Sequence, residues 1–190
     1  MNRAHTPSQT VGPFFHLGLA HLNRHSLVPD GTPANQVLAF HGRVYDADLA
    51  PVPDAQIELW QADANGEYFD REYAARAGAN TFTGFGRIAT DDNGAFHFTT
   101  IKPGPVRSRG SGATQAPHIS VTIFMRGLLR HLSTRIYFPG EPHNAADPVL
   151  HAVPSARRDT LIALADKTEP NKFEWNVVLQ GENETVFFDL

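Results

Sequence analysis

Cysteine is absent from all 190 residues, which excludes disulfides, thiolate metal sites and cysteine nucleophiles together. Long apolar runs are missing as well, and none approaches the roughly 20 residues that a membrane span requires. The first ten residues, MNRAHTPSQT, lack the apolar stretch of a secretory leader, so the expected location is the cytoplasm. Nor is there an excess of positive charge. Lys+Arg 16 against Asp+Glu 20 leaves −4, without the basic footprint of a nucleic-acid binder. No G-x-S-x-G, no G-x-x-x-x-G-K-[ST] and no helix-opening G-x-G-x-x-G occurs, which removes the usual serine-hydrolase and phosphate-loop signatures. The glycine-rich residues 108–112 have no helical pattern after them and read as a flexible loop.

What remains is a chain of ordinary apolar content, 41% hydrophobic and 19% charged, which excludes a disordered polymer and favours one folded domain. Fifteen glycines and fourteen prolines punctuate short runs rich in β-branched and aromatic residues. These runs cover 37–46, 56–62, 85–90, 95–101, 118–125, 132–138, 173–180 and 185–188, with turn signals such as Asp92-Asn93-Gly94 between them. Many short strands at this spacing predict a mainly β chain, a β-sandwich with long connecting loops and one or two short helices. Asp147-Pro148 offers an N-cap followed by proline at the first helical position, and Ser155 is expected to cap a second short helix over 156–164. Residues 1–36, 63–84 and 102–117 carry no strand pattern. The first of these is expected to be an extended arm that docks on a partner, and 37–190 a single sandwich domain.

Ten histidines supply possible metal ligands, but neither H-E-x-x-H nor H-x-H is present. His5, His16, His21 and His25 lie in the arm, and His143 and His151 in later loops. His118-Ile119-Ser120 is where an H-x-H could stand, because residues two apart on a strand share a face. As written it presents one imidazole, and a lone histidine at a strand start is most simply a hydrogen-bonded structural residue. Trp60 and Trp175 are expected to fill the core. Arg107, Arg109, Arg157 and Arg158 read as surface or interface charges.

Five ordered stretches nevertheless resemble one family. Residues 59–68 (LWQADANGEY), 84–87 (GFGR), 90–94 (TDDNG), 100–105 (TIKPGP) and 116–120 (APHIS), extended by 135–138 (RIYF), are similar in order and spacing to the intradiol ring-cleavage dioxygenases. The resemblance runs from about Thr6 to the C-terminus. It implies a β-sandwich and a mononuclear non-haem Fe(III) that, with O2, opens catechol rings between the two hydroxyls. It also implies four ligands, two tyrosinates and two histidines, a donor set that suits a hard ferric ion. Carried over position by position, one tyrosine is Tyr68 and one histidine is His118. The other two positions hold Val106 and Ser120. No metal is therefore expected in this chain.

Within the family, the resemblance is to a chain that works through a homologous iron-binding beta chain in a higher αβ oligomer. The N-terminal arm there lines the partner's pocket, which carries over to Thr10, Gly12, Pro13 and Phe14; Phe14 keeps the ring of the usual tyrosine and loses its hydroxyl. Arg126, in Phe124-Met125-Arg126-Gly127, matches the family's contact to the carboxylate of a carboxylated catechol such as protocatechuate. Its planar, permanently charged fork suits that task, although a solvated arginine at a strand end is the simpler reading of the residue by itself. Phe14, Phe15 and Leu17 together are too apolar to be left in water comfortably. Two alternatives stand beside this reading: a non-catalytic β-sandwich binding or assembly module, and a self-sufficient catechol dioxygenase that uses Tyr73 or another histidine as a replacement ligand.

Overall fold

The computed structural model describes residues 6–70, 82–108 and 112–189. Alternation of side chains builds the sheets. Strand β1 (Val37–Tyr45) turns Leu38, Phe40, Gly42 and Val44 inward, and β4 (Ala95–Ile101) turns Phe96, Phe98 and Thr100 inward. The two pair antiparallel along their whole length, from Val37 opposite Ile101 to Arg43 opposite Ala95. On its other side β1 pairs in parallel with β10 (Lys172–Glu174) and then β11 (Val177–Val178), and β9 (Leu164–Ala165) adds an antiparallel edge to β10. The second sheet is antiparallel throughout, in the order β3 (Phe85–Ala89), β2 (Gln56–Gln61), β7 (His118–Phe124), β8 (Leu132–Tyr137).

The inner faces of the two sheets share one core. Ile57, Leu59, Ile88, Ile119, Val121, Ile123 and Ile136 from one sheet meet Phe40, Phe98 and Phe173 from the other. Phe40 stacks on Phe98 at 4.9 Å and on Phe173 at 5.0 Å, and Phe138 meets Phe40 edge-on at 5.9 Å. Close approach needs glycine at one point: a Cβ on Gly42 would sit 1.8 Å from the Trp175 carbonyl oxygen. This is the expected β-sandwich.

Several local expectations change. Residues 173–180 form two strands because β1 changes partner there, with Trp175 donating its amide to the His41 carbonyl at 2.9 Å. Residues 185–188 contribute only a bridge between Phe188 and Ser133. Stretch 102–117, without strand pattern in the sequence, carries a small ribbon of β5 (Val106–Arg107) and β6 (Thr114–Gln115). Asp147 caps α2 (Pro148–Ala152) as expected, accepting from the Val149 and Leu150 amides. Ser155 does not cap; Pro154 holds that position, and the following turn, Ser155–Leu161, is a 3-10 helix without a side-chain cap. The arm is extended only to Gly12, since Pro13 opens a short helix, α1 (Pro13–Leu19). From residue 24 the 1–36 stretch is tied to its own domain, with Arg24 bridging to Arg87, Ser26 to Thr99, and Leu27 buried in the core. No helix among the described residues is long and apolar enough to cross a membrane.

Candidate functional site

The sequence-derived site residues gather at two ends of the β2–β7–β8 sheet. At the first end, the 63–68 turn presents Tyr68. Asp63 fixes that turn by accepting from the amides of Asn65 and Glu67, both at 2.9 Å. Gly66 has φ +82° and lies so close to Pro105 that a Cβ would meet its carbonyl oxygen at 2.1 Å, which locks the turn against the Lys102–Pro105 run. Trp60 corrects the expectation of a core residue. It is 37% exposed on the outer face of β2, where it stacks on the Tyr68 ring at 6.0 Å and 8°. Trp175 is buried as expected.

The Tyr68 hydroxyl lies 3.3 Å from His118 Nε2, and His118 Nδ1 lies 2.7 Å from the Ala116 carbonyl. A carbonyl only accepts, so the proton sits on Nδ1 and Nε2 accepts from the phenol. Burial, helped by the Arg135 guanidinium, holds His118 down to about 4. Burial likewise raises Tyr68, against the charge of Arg135 and a hydrogen bond with Ser120. Ser120 stands opposite Arg135 in the β7–β8 register, and Val106 opposite Gln115 in the β5–β6 ribbon. Arg135 Nη1 donates to Gln115 Oε1 at 2.8 Å and to the Tyr137 hydroxyl at 3.3 Å. Tyr137 donates in turn to Asp147 Oδ1 at 3.3 Å, while Asp147 Oδ2 accepts the Ala116 amide at 2.7 Å. Burial pushes Tyr137 up to about 12.

Tyr68, His118 and Ser120 thus meet at one end of the sheet, with Val106 on the ribbon whose Gln115 bonds Arg135, but the donors do not fit a ferric ion. Such a site needs anionic oxygens. Here the ligand-equivalent positions supply one phenol, held in its neutral form by burial, and one imidazole, and the Arg135 guanidinium is hydrogen-bonded to Gln115 and Tyr137 beside them. Tyr73 and Arg109 lie outside the described residues.

The second end is the β7–β8 turn. Thr10 Oγ1 accepts the Gly127 amide at 2.8 Å, and Phe15 packs on Phe124 with ring centres 5.2 Å apart. The arm therefore lies against the turn that carries Arg126. Gly127, at φ +90°, makes that turn possible. Arg126 is 61% exposed and pairs with Asp54 Oδ2 at 2.7 Å. Gly12 precedes α1 in extended conformation, Pro13 is the first helical residue, and Phe14 is 83% exposed beside an exposed Leu17. Six residue steps separate His118 from Phe124, about 20 Å along the strand. Arg126 lies beyond Phe124, away from the cleft in its own chain.

A family model described as dioxygenase matches residues 10–181. The chain belongs to the intradiol dioxygenases. Its relatives in this iron-dependent family include the protocatechuate 3,4-dioxygenase alpha chain of Pseudomonas putida, 41% identical over 97% of this chain and 96% of that one. The protocatechuate 3,4-dioxygenase beta chain of Burkholderia cepacia is 36% identical over 83% of this chain and 70% of its own length. Among solved structures, the dioxygenase domain of a dioxygenase–carbohydrate-binding fusion from Streptomyces sp. SirexAA-E superposes with a TM-score of 0.63, at 28% identity over 84% of this chain and 89% of that one.

Intradiol motifs in the sequence identify Tyr68 and His118 but not the groups that hold them. Arg135 stands out in RIYF only as a landmark, and Gln115 and Asp147 carry no motif. The available signal was strand alternation, since Arg135 and Tyr137 share a face and Arg135 is paired with Ser120. Four histidines that look scattered in the sequence, His16, His25, His41 and His97, line one cavity of about 520 Å³, where His25 stacks on His97 at 4.9 Å.

Proposed function

We propose that this chain is the iron-free alpha subunit of a cytoplasmic protocatechuate 3,4-dioxygenase, completing a pocket whose Fe(III) is held by a homologous beta chain. The observation that carries the reading is the distance between the two ends of β7. Thr10, Phe14 and Arg126 are assembled and exposed about 20 Å or more from the cleft that would hold a metal in this chain. They serve a neighbour's pocket rather than their own. The similarity to both an alpha and a beta chain supports the same pairing.

When bound in the partner, ferric iron supplies the chemistry by which O2 opens the ring to 3-carboxy-cis,cis-muconate. This chain contributes position and dryness. Arg126 offers two parallel N–H donors to the ring carboxylate. Its ion pair with Asp54 is open to solvent and therefore cheap to exchange for a substrate anion. The arm, with Phe14 presenting an apolar ring, excludes water from the pocket mouth.

Co-expression with a beta chain tests the reading. The pair should contain iron, show the visible absorbance of an iron–tyrosinate bond and consume O2 with protocatechuate, whereas this chain alone should do none of these. Arg126→Ala in the assembled pair should lower kcat/KM for protocatechuate by roughly 10- to 100-fold, the value of a hydrogen bond to a charged group, with iron content unchanged. Turnover by the isolated chain, or an unchanged kcat/KM in the variant, would overturn it.

A further inference from the structure

Two of the four ligand-equivalent positions hold Val106 and Ser120, but that does not explain what holds the remaining donors, Tyr68 and His118, in place. Two bonded ligands of one metal ion normally lie about 3 Å apart, as follows from metal–ligand bonds near 2.0–2.2 Å. Tyr68 Oη and His118 Nε2 keep that spacing, at 3.3 Å. Something other than iron preserves the arrangement. The residue facing it is Arg135, whose strand position is opposite Ser120 and whose guanidinium bonds Gln115, the register partner of Val106. Arg135 thus stands opposite one position where a ligand is missing and bonds the register partner of the other. Through Tyr137 it also reaches Asp147, a carboxylate with 0% exposure.

We propose that Arg135 is a built-in cation standing in for the metal, and that its presence, beyond the missing ligands, keeps this cleft closed to metal ions. The anchoring of the guanidinium supports it. Among the described residues, Arg135 is linked through the Tyr137 hydroxyl to the buried Asp147 carboxylate, which anchors the guanidinium at this end of the sheet. A metal cation entering here would meet a fixed positive charge held in place by two hydrogen bonds. A guanidinium does not deprotonate to relieve that conflict. Arg135 is a positioning residue in this account, and the account holds whether or not the arm serves a partner.

The test restores the ligands with and without the charge, in the full chain expressed alone. Val106→Tyr/Ser120→His should stay below about a tenth of an iron per chain after loading and dialysis. Adding Arg135→Gln should bring it to about one iron per chain with a visible phenolate-to-iron band, whereas adding Arg135→Lys, which keeps the charge, should not. Equal loading with and without Arg135 overturns the proposal, and so does a folded Arg135→Gln triple variant that stays colourless. A gentler pair covers the case in which a tyrosine at 106 prevents folding. Ser120→His/Arg135→Gln should bind Co2+, followed by its visible spectrum, at least tenfold more tightly than Ser120→His. Equal affinities there overturn it as well.

Discussion

Lowering the pH should destabilise this fold through a single imidazole, and the size of the effect follows from the cleft. His118 is 2% exposed, accepts a hydrogen bond from the Tyr68 hydroxyl at Nε2 and is held down to about 4, below its ordinary 6.5, by burial first and by the Arg135 charge next. The unfolded chain therefore binds a proton at this residue between pH 6.5 and 4 that the folded chain refuses. Stability is complete above about 6.5, falls by up to ~1.4 kcal/mol per pH unit as the pH drops, and levels off near 4. The whole loss is about 3 kcal/mol. Glu141 titrates elsewhere. Burial pushes it up, but hydrogen bonds from Lys102 and His143 bring it down to about 2, so its stabilising contribution erodes only below 4.5. Urea unfolding of wild type and His118→Gln, from pH 7.5 to 4.2, separates the two groups. Wild type should lose about 3 kcal/mol more than the variant over that range. Parallel curves would show that His118 carries no such penalty and would refute the tautomer and burial assigned to it.

Two further outcomes follow from single hydrogen-bonding groups. Asp147→Ala removes the α2 cap together with the acceptors for the buried Ala116 amide and Tyr137 hydroxyl, and should cost about 3 kcal/mol or more in chemical denaturation. A cost below ~1 kcal/mol would mean that water replaces the carboxylate. Thr10→Val keeps the shape of the side chain but loses the bond to the Gly127 amide, about 1 kcal/mol, so limited proteolysis within residues 6–12 should quicken by roughly fivefold while global stability is unchanged. An unaltered cleavage rate would show that Phe15 alone anchors the arm.

The sandwich was legible because its strands alternate cleanly: β1, β2, β3, β4, β7 and β8 fall within a residue or two of the runs read from pattern. Pattern fails where pairing is too short to alternate, as in the two-residue strands β5 and β9, or where a partner changes mid-run, as at Trp175. Size alone predicts a core position for Trp60, although Ile57 and Leu59 on the same strand fix the inward face and put residue 60 outside. In the site, motif and spacing located Tyr68 and His118. Arg135 carries no such signal, because an arginine on an outward strand position reads as a solvent charge. Its shelter comes from Gln115 on a distant ribbon, and its balancing charge from Asp147 at a helix cap, neither of which a local window can see.

The length of β7 has a consequence for how the protein can change. Its two ends are separated by more than twice the distance over which physiological salt extinguishes a surface charge, about 8 Å. Substitutions at the Tyr68 end and at the Thr10–Arg126 end should therefore combine additively. One end can be rebuilt, even recharged, without retuning the other, which makes this chain a scaffold with two independently adjustable faces.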